Sequence, residues 1–509
     1  MSRGGGARLL IGVDGTEVDA GTAALLRETG CRGVVLFARN LVDAAQARRL
    51  IADLRAAAPG PLLVCVDQEG GRVVRLARGV TVFPGNLALG ACDDEALAEA
   101  QGQVQGAELA ALGVDLNLAP VVDLLLPPGN AAIGTRSLGA DPARVAALAA
   151  ALVRGQRAAG VGSCLKHFPG LGAAEVDPHV TVSRAALPEA GWEPHLAPYV
   201  HCLRDARGLA VMSTHLVAEA YDREHLATFA PAVLRRLLRG RLGFDGLLVS
   251  DDLCMGAVPP GDLARAAVAA ATAGHDLVAV CHGPEGQRAA ASALGRALAE
   301  GRLEEGEHAR ALERCDDLQR LAPGRVPERD GAALARTIAR RAMHRFGDAR
   351  GLLPLPPDAR VLVVHGGAGV RSVVAEAPRA AGVADGEARL RALFAAWPAV
   401  GSARLDEDPS QAAIERLVAR AEGFDRVVWL ARELRGRAGL RFLLARACHR
   451  LADRLVLVHL RDPFDQALVD TGVTSIASFG EVECQLEATV EVLGGDLEPR
   501  GRLPAPIRP

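Results

Sequence analysis

Charged and imidazole side chains follow several apolar runs of this sequence, at the point where each run ends. Asp67 comes directly after PLLVCV, Lys166 and His167 follow VGSCL, His215 comes shortly after GLAVMS, and Asp251 follows GLLVS. A set of Asp, Lys and His residues without cysteine ligands suits a polyol, because hydroxyl groups hydrogen-bond to carboxylates and to cationic groups. Each residue alone has a plain structural explanation, but their shared placement predicts one site.

Cleavage of a glycosidic bond is the chemistry that this set favours. The reaction needs a carboxylate on one face of the sugar ring and a proton donor near the leaving oxygen. Asp251 is the candidate carboxylate nucleophile. A histidine can serve as the donor because its pKa lies near neutrality, and His179 stands two residues after Asp177, which would orient it. By spacing alone, a polar surface turn explains Asp177 and His179 equally well.

Alternating strand and helix patterns must position these residues. Eight β-rich runs lie before residue 320, separated by amphipathic helical patterns, at residues 7–13, 33–37, 61–66, 114–119, 161–166, 208–213, 246–250 and 276–281. Eight such units predict a (β/α)8 TIM-like barrel, in which active-site residues lie at the C-terminal ends of the strands. A doubly wound sheet is the alternative fold.

The remainder of the chain predicts a second α/β unit. Residues 323–358 combine Pro- and Gly-containing pieces with a helical stretch, and we interpret them as a linker with a helix. Strand and helix patterns resume in residues 359–509, in the runs RVLVVHG, FDRVVWLAREL, DRLVLVHL and TSIASFG. The predicted organisation is therefore a catalytic barrel over residues 1–322, the linker and a second domain. Glu481, in that domain, is predicted to lie on a helix surface.

Composition argues against several classes of partner. The formal net charge is −3, and no basic stripe favours nucleic acid. No apolar run is long enough to span a bilayer, and the N-terminus lacks the pattern of a signal peptide. No cysteines have metal-ligand spacing. The sequence thus predicts a cytoplasmic protein that acts on a small carbohydrate without a metal or cofactor, and it leaves the oligomeric state open.

Lysine usage singles out one of the candidate residues. Lys166 is the one lysine among 58 Lys and Arg residues, so the remaining cationic side chains are arginines. A lysine kept in such a sequence indicates a place that needs a compact ammonium group, where a planar guanidinium does not fit.

The sequence resembles the family 3 glycoside hydrolases, and among them the bacterial β-N-acetylglucosaminidases that recycle peptidoglycan. The resemblance extends over nearly all of the chain, and KHFPG and VSDDL are its most specific parts. The matching stretches, in the family's order and spacing, are GVVLFARN, VDQEGGRVVRL, LGVDLNLAPVVD, NAAIGTRSLG, KHFPG, the VDPH loop, LGFDGLLVSDDLCMGAV and AGHDLVAVCH.

The resemblance implies a retaining mechanism and a role for each matching residue. Asp251 corresponds to the family's nucleophile, and His179 with Asp177 corresponds to the acid/base pair of the glucosaminidase branch. The family's sugar-binding positions correspond to Asp67, Arg75, Arg136, Lys166 and His167. The implied substrate is a terminal β-linked N-acetylglucosamine of a peptidoglycan fragment. The second unit resembles the family's α/β sandwich domain.

The chain departs from the glucosaminidase branch at the loop that carries the acid/base pair. The branch reads KHFPGHGDT followed by DSH, whereas this chain reads KHFPGLGAAEVDPH, with changes at Leu171, Ala173, Ala174 and Pro178. Three alternatives stay open, and the altered loop supports only the third. The first is phosphorolysis, because a histidine acid/base does not repel an incoming phosphate as a carboxylate would. The second is a β-glucosidase, and the third is a non-catalytic sugar-binding protein.

Overall fold

Two α/β units make up the part of the chain that the structure describes. The structure is a computed structural model, and it describes residues 4–127, 130, 132–174, 182–258, 261–366 and 387–507. The predicted pair Asp177 and His179, together with Pro178, lies outside the described residues.

The first unit is a barrel of eight parallel strands. Their order is β10-β1-β2-β3-β4-β5-β7-β9, and a bridge between Val249 and Leu277 closes the ring. The strands are β1 (Leu9–Gly12), β2 (Gly33–Leu36), β3 (Leu63–Val66), β4 (Leu116–Asn117), β5 (Gly162–Phe168), β7 (Leu209–Ser213), β9 (Leu247–Val249) and β10 (Val278–Val280), and a separate short pair is β6 (Ser183–Ala185) and β8 (Leu216–Ala218). Each of the eight predicted runs overlaps one barrel strand, and only β5 extends beyond its run, so the predicted TIM-like barrel is confirmed.

Helices connect the strands and cover the outside of the barrel. They are α1 (Ala20–Thr29), α2 (Ala44–Ala57), α3 (Asn86–Cys92), α4 (Glu95–Leu112), α5 (Pro142–Ala158), α6 (Glu193–Cys202), a π-helix (Ala232–Arg241), α7 (Leu263–Ala273), α8 (Pro284–Ala299) and α9 (Glu305–Gln319). Aspartates cap the N-termini of five of these helices by accepting backbone N–H bonds, namely Asp19, Asp43, Asp94, Asp141 and Asp262. These caps fix where the helices begin, and so fix where the loops that precede these helices end.

Along each barrel strand, side chains alternate between the barrel interior and the layer of surrounding helices. Leu10, Cys65 and Met212 belong to a buried cluster inside the barrel, whereas Leu9 and Val64 pack with the surrounding helices. Because successive residues of a strand point to opposite faces, the inward positions recur every second residue. Within the described ranges, no helix combines the length and apolar character that crossing a bilayer requires.

The second unit is a six-stranded sheet between two helical layers. Its order is β11-β16-β15-β14-β12-β13, and all of its pairings are parallel except that of β11 with β16. The strands are β11 (His344–Gly347), β12 (Arg360–Gly366), β13 (Ala399–Leu405), β14 (Arg426–Ala431), β15 (Leu455–His459) and β16 (Thr474–Ala477), and the helices are α10 (Gly331–Ala342), α11 (Glu387–Leu393), α12 (Gln411–Ala421), α13 (Ala438–Leu451) and α14 (Glu483–Gly494). The four predicted runs are strands, whereas the two outermost strands, β11 and β13, were not predicted.

The prediction for Glu481 is wrong. Helix α14 begins only at Glu483, and the side chain of Glu481 is 10% exposed between Arg432 and Arg461. The loop after β16 carries Glu481 into the interior, where the two guanidinium groups balance its charge. Neither partner is near it in sequence, so local patterning gave no signal of this burial.

The C-terminal segment returns to the barrel. The backbone N–H of Arg502 donates to Ala91 O and that of Ala140 donates to Pro504 O, both at 2.9 Å. Ala505 is buried at the same place. Residues beyond α14 therefore contact the barrel as well as the second sheet, where Gly501 O lies 2.8 Å from His344 Nδ1 in β11.

Candidate active site

The C-terminal ends of the barrel strands surround a pocket of about 150 Å³. In β3, Cys65 points into the barrel, so Asp67, two residues later, points the same way. The same alternation leads from Cys164 to Lys166 in β5, and it places Asp251 at the mouth after β9. Strand periodicity alone thus directs three charged side chains from three strands into one space.

The pocket collects all of the predicted site residues that the structure describes. Its lining includes Asp67, Arg75, Arg136, Lys166, His167 and Asp251. Arg136 comes from a short turn between β4 and α5, Gly134–Arg136, and not from a strand. Asp177 and His179 stay predictions. Within the described ranges, no group of three or more His, Cys, Asp or Glu side chains is placed to hold a metal ion.

Lys166 joins two carboxylates at the base of the pocket. Its Nζ lies 2.6 Å from Asp67 Oδ1 and 2.6 Å from Glu69 Oε1. Arg136 closes the network with two bonds to Glu69, at 2.9 Å from Nε and 2.8 Å from Nη2. One ammonium with donors in several directions reaches both carboxylates, which explains why a lysine stands here in an arginine-rich chain. Sequence reasoning missed Glu69, although it is part of the quoted stretch VDQEGG.

The network keeps Glu69 and Lys166 charged although both are buried. Burial alone would raise the pKa of Glu69, but the charges of Arg136 and Lys166 outweigh it and hold that pKa well below its usual range. Burial would lower the pKa of Lys166, but Asp67 and Glu69 raise it above its ordinary value. The base of the pocket therefore presents fixed charges, already oriented, to the hydroxyl groups of a ligand.

His167 is oriented by a residue that the sequence analysis did not single out. Its Nδ1 lies 2.7 Å from Asp123 Oδ2, and the same carboxylate accepts the backbone N–H of His167 at 3.0 Å and that of Leu171 at 2.5 Å. Its Nε2 lies 3.4 Å from Arg136 Nη2, which can only donate. These partners fit a proton on Nδ1. Asp123 ends the stretch LNLAPVVD, just beyond β4. This position after a strand could have identified Asp123 as a candidate site residue.

Asp251 stands on a backbone that is fixed from several sides. Its Oδ1 accepts the N–H of Asp252 at 2.8 Å, and Asp252 Oδ1 accepts the N–H groups of Cys254 at 3.1 Å and Cys281 at 3.0 Å. His215 lies beneath this turn, with Nε2 2.9 Å from the carbonyl oxygen of Asp252. Asp252 and His215 therefore position the chain, while Asp251 faces the pocket.

The first part of the altered loop packs inward. Leu171 is 1% exposed in the buried cluster that contains Phe168 and Leu124. The amide of Asn130 donates to Leu171 O at 3.3 Å and to Ala174 O at 3.2 Å. The apolar residue at position 171 thus adds to the core, and the loop is anchored as far as residue 174, three residues before the predicted acid/base pair.

Comparison with known proteins places the chain in a family. Residues 8–318 match the family described as glycosyl hydrolase family 3 N terminal domain. Over 282 residues the chain is 43% identical to the beta-hexosaminidase of Xanthomonas campestris pv. campestris (strain B100), covering 54% of this chain and 84% of the relative. Over 299 residues it is 42% identical to the beta-hexosaminidase of Stenotrophomonas maltophilia (strain R551-3), covering 57% and 88%.

A solved structure extends the similarity to both units. The glycoside hydrolase family 3 beta-N-acetylglucosaminidase of Paenibacillus sp. str. FPU-7 superposes with a TM-score of 0.90 at 31% identity, over 99% of this chain and 98% of that one. The fold of both units together is thus shared with that protein. This chain belongs to glycosyl hydrolase family 3.

Proposed function

We propose that this protein is a retaining glycoside hydrolase that removes terminal β-linked N-acetylglucosamine. The observation that carries the proposal is the meeting of Asp251 with the Lys166–Asp67–Glu69–Arg136 network in one pocket at the barrel mouth. The names of the two bacterial relatives and of the Paenibacillus structure support the N-acetylhexosamine specificity.

The proposed reaction proceeds in two displacements. Asp251 attacks the anomeric carbon as the bond to the leaving oxygen breaks, and His179 gives its proton to that oxygen, so that a glycosyl ester forms on Asp251. His179 then takes a proton from water, the water oxygen bonds to the same carbon, and the carboxylate of Asp251 is released. Asp177 orients His179 and stabilises its charged form.

The charged network binds the sugar ring in this proposal. The side chain of Asp67 keeps 13% exposure, with Arg75 Nη2 at 3.6 Å from its Oδ2, so both groups are within reach of sugar hydroxyls. Bonds to Asp67, Arg75, Arg136, Lys166 and His167 supply binding energy that offsets distortion of the ring toward the transition state. Peptidoglycan fragments as the natural substrate and a cytoplasmic location stay predictions.

Parallel assays of two substrates test the proposal. We expect the wild type to release p-nitrophenol faster from the β-N-acetylglucosaminide than from the β-glucoside. His179→Ala should lose about 10²- to 10⁴-fold in kcat, the usual contribution of general acid–base catalysis. His225→Ala, at a histidine whose side chain is 56% exposed on the surface, is the matched control and should retain activity.

Three outcomes would contradict parts of the proposal. Equal or greater cleavage of the β-glucoside would favour the β-glucosidase alternative, and no cleavage of either substrate would favour a binding protein. Full activity of His179→Ala would exclude this histidine as the acid/base.

A further inference from the structure

A cluster of charged residues lies where the second unit meets the barrel. Arg432 and Glu433 follow β14, Arg461 follows β15, and Glu481 follows β16, while Arg72 belongs to the barrel loop after β3. We call these five residues the junction cluster. Their side chains are between 10% and 19% exposed, so the cluster is nearly buried.

The junction cluster has more positive groups than negative ones. Glu481 binds both Arg432, at 2.5 Å, and Arg461, at 2.8 Å, whereas Glu433 lies 3.8 Å from Arg72. Three guanidinium groups therefore share two carboxylates. Buried charges are normally balanced and hydrogen-bonded, so this excess requires an explanation.

Unpartnered donors point to what is missing. Arg461 Nε and Nη1 and Arg72 Nε are buried and have no hydrogen-bond partner among the residues that the structure describes. Nε and Nη1 lie on different edges of the Arg461 guanidinium, and each can donate to an oxygen of a carboxylate or phosphate group, while Nη2 already bonds to Glu481. Burial, and next to it the charge of Arg461, also lower the pKa of Arg72 to about 10, and a bound anion would relieve both effects.

The cluster adjoins the catalytic pocket through Arg136, which lines the pocket. Arg72 follows Glu69 by three residues, and Arg136, which binds Glu69, is among the charges that act on Arg72. Gly134, in the turn that carries Arg136, lies between the two units. A Cβ at this position would lie 3.7 Å from Nη1 of Arg72, in the barrel, and 3.8 Å from Oδ2 of Asp462, in the second unit. A group bound at the cluster thus sits beside the turn that lines the sugar pocket.

We propose that the junction cluster, through Arg461 and Arg72, binds an oxyanion carried by the molecule that leaves or accepts the sugar. This inference rests on the proposed glycosidase function and assigns the second unit a part in substrate recognition. The anion has two possible sources, a carboxylate on the leaving group or inorganic phosphate as acceptor. With phosphate, an oxygen of HPO₄²⁻ bonds to the anomeric carbon as its bond to Asp251 breaks, and the electron pair returns to the carboxylate, giving a sugar 1-phosphate.

The carboxylate source is tested with two matched substrates, 4-carboxyphenyl and 4-(methoxycarbonyl)phenyl β-N-acetylglucosaminide. We expect the wild type to prefer the carboxylate in kcat/KM, and Arg461→Gln to reduce the ratio of the two values by about tenfold, whereas Arg461→Lys restores part of it. Arg446→Gln is the matched control, because Arg446 pairs with Glu415 between α13 and α12 in the same unit and should keep the wild-type ratio. Should Arg461→Gln fail to fold, Arg72→Gln tests the same pair.

The phosphate source is tested by product and by binding. We expect wild type, but not Arg461→Gln, to form N-acetylglucosamine 1-phosphate in phosphate buffer, detected by ³¹P NMR, if phosphate is the anion. Inorganic phosphate should also raise the melting temperature of wild type more than that of Arg461→Gln, a readout that does not need turnover.

A wild type with no preference for the carboxylate, no sugar phosphate and no stabilisation by phosphate would overturn the inference. If no glycoside is cleaved but phosphate still stabilises wild type more than Arg461→Gln, the proposed function fails and the anion site stands.

Discussion

Lys166 shows how a single side chain can hold a site together. Its ammonium group bonds to two buried carboxylates that otherwise repel each other, and Arg136 binds one of them from the other side. Breaking such a buried arrangement by removing one partner leaves charge without compensation, and this cost exceeds what the intact pair contributes. The strongest mutational effects on stability at the site are therefore expected from this residue.

Lys166→Met should lower the free energy of unfolding by about 3–5 kcal/mol, because Asp67 and Glu69 are then left together without their shared cation. Denaturation in urea, followed by circular dichroism, measures the change. The control is Arg446→Gln, which breaks an ion pair whose side chains are 34% and 37% exposed and should cost about 0–1 kcal/mol. Equal small losses in both variants would show that the network contributes no more than a surface pair.

At the scale of elements, a buried histidine ties three parts of the barrel together. His275 precedes β10, and its Nε2 lies 2.8 Å from Ser213 Oγ at the end of β7, while its Nδ1 lies 2.9 Å from Ala270 O in α7. Burial lowers the pKa of His275 to about 3, and the charges of Arg8 and Arg239 act in the same direction. The native barrel therefore holds this histidine in its neutral form.

The stability of the protein should consequently fall on acidification below about pH 6.5, the ordinary histidine pKa. In that range the unfolded chain takes up a proton at this position and the native chain does not, until the pH reaches about 3. Urea denaturation at intervals from pH 7 to pH 4 measures the slope, and His275→Gln should make it shallower. An unchanged slope in the variant would rule out His275 as the source.

The elements themselves were largely predictable from periodicity. Most barrel strands are apolar runs because both of their faces are buried, and such runs are visible in the sequence. The strands at the edges of the second sheet are less apolar, since β13 reads AVGSARL and β11 reads HRFG, and periodicity did not detect them. Glu69 and Asp123 were missed for another reason, because their roles depend on partners more than 40 residues away, and no local pattern records such contacts.

At the scale of the whole molecule, the C-terminal segment connects the second unit back to the barrel. Removal of residues 500–509 would delete the four hydrogen bonds made by Gly501 N, Gly501 O, Arg502 N and Pro504 O and expose the buried Ala505 site. At about 1 kcal/mol for each hydrogen bond, we expect a loss of about 4 kcal/mol and a lower melting temperature. Thermal unfolding of this truncation and of a chain that lacks only residues 508–509 provides the comparison. Identical melting temperatures would show that the segment does not stabilise the barrel.

The proposed catalytic residues and the proposed anion-binding residues lie largely in different units, so their effects can be measured separately. The proposed nucleophile and sugar-binding residues all belong to the barrel, whereas four of the five junction-cluster residues belong to the second unit. Variants of Asp251 or Lys166 should therefore affect every substrate, and variants of Arg461 should discriminate between substrates by the charge of the leaving group.

Trapping of the glycosyl ester tests the central claim most directly. The protein would be incubated with a fluorinated N-acetylglucosaminyl donor whose ester hydrolyses slowly, digested, and analysed by mass spectrometry, with Asp251→Asn in parallel. We expect the mass of one glycosyl group on the peptide that contains Asp251, and no label in the variant, which should also lose about 10⁴-fold or more in kcat. A label on another carboxylate, or normal turnover by Asp251→Asn, would contradict the assignment of Asp251 as the nucleophile.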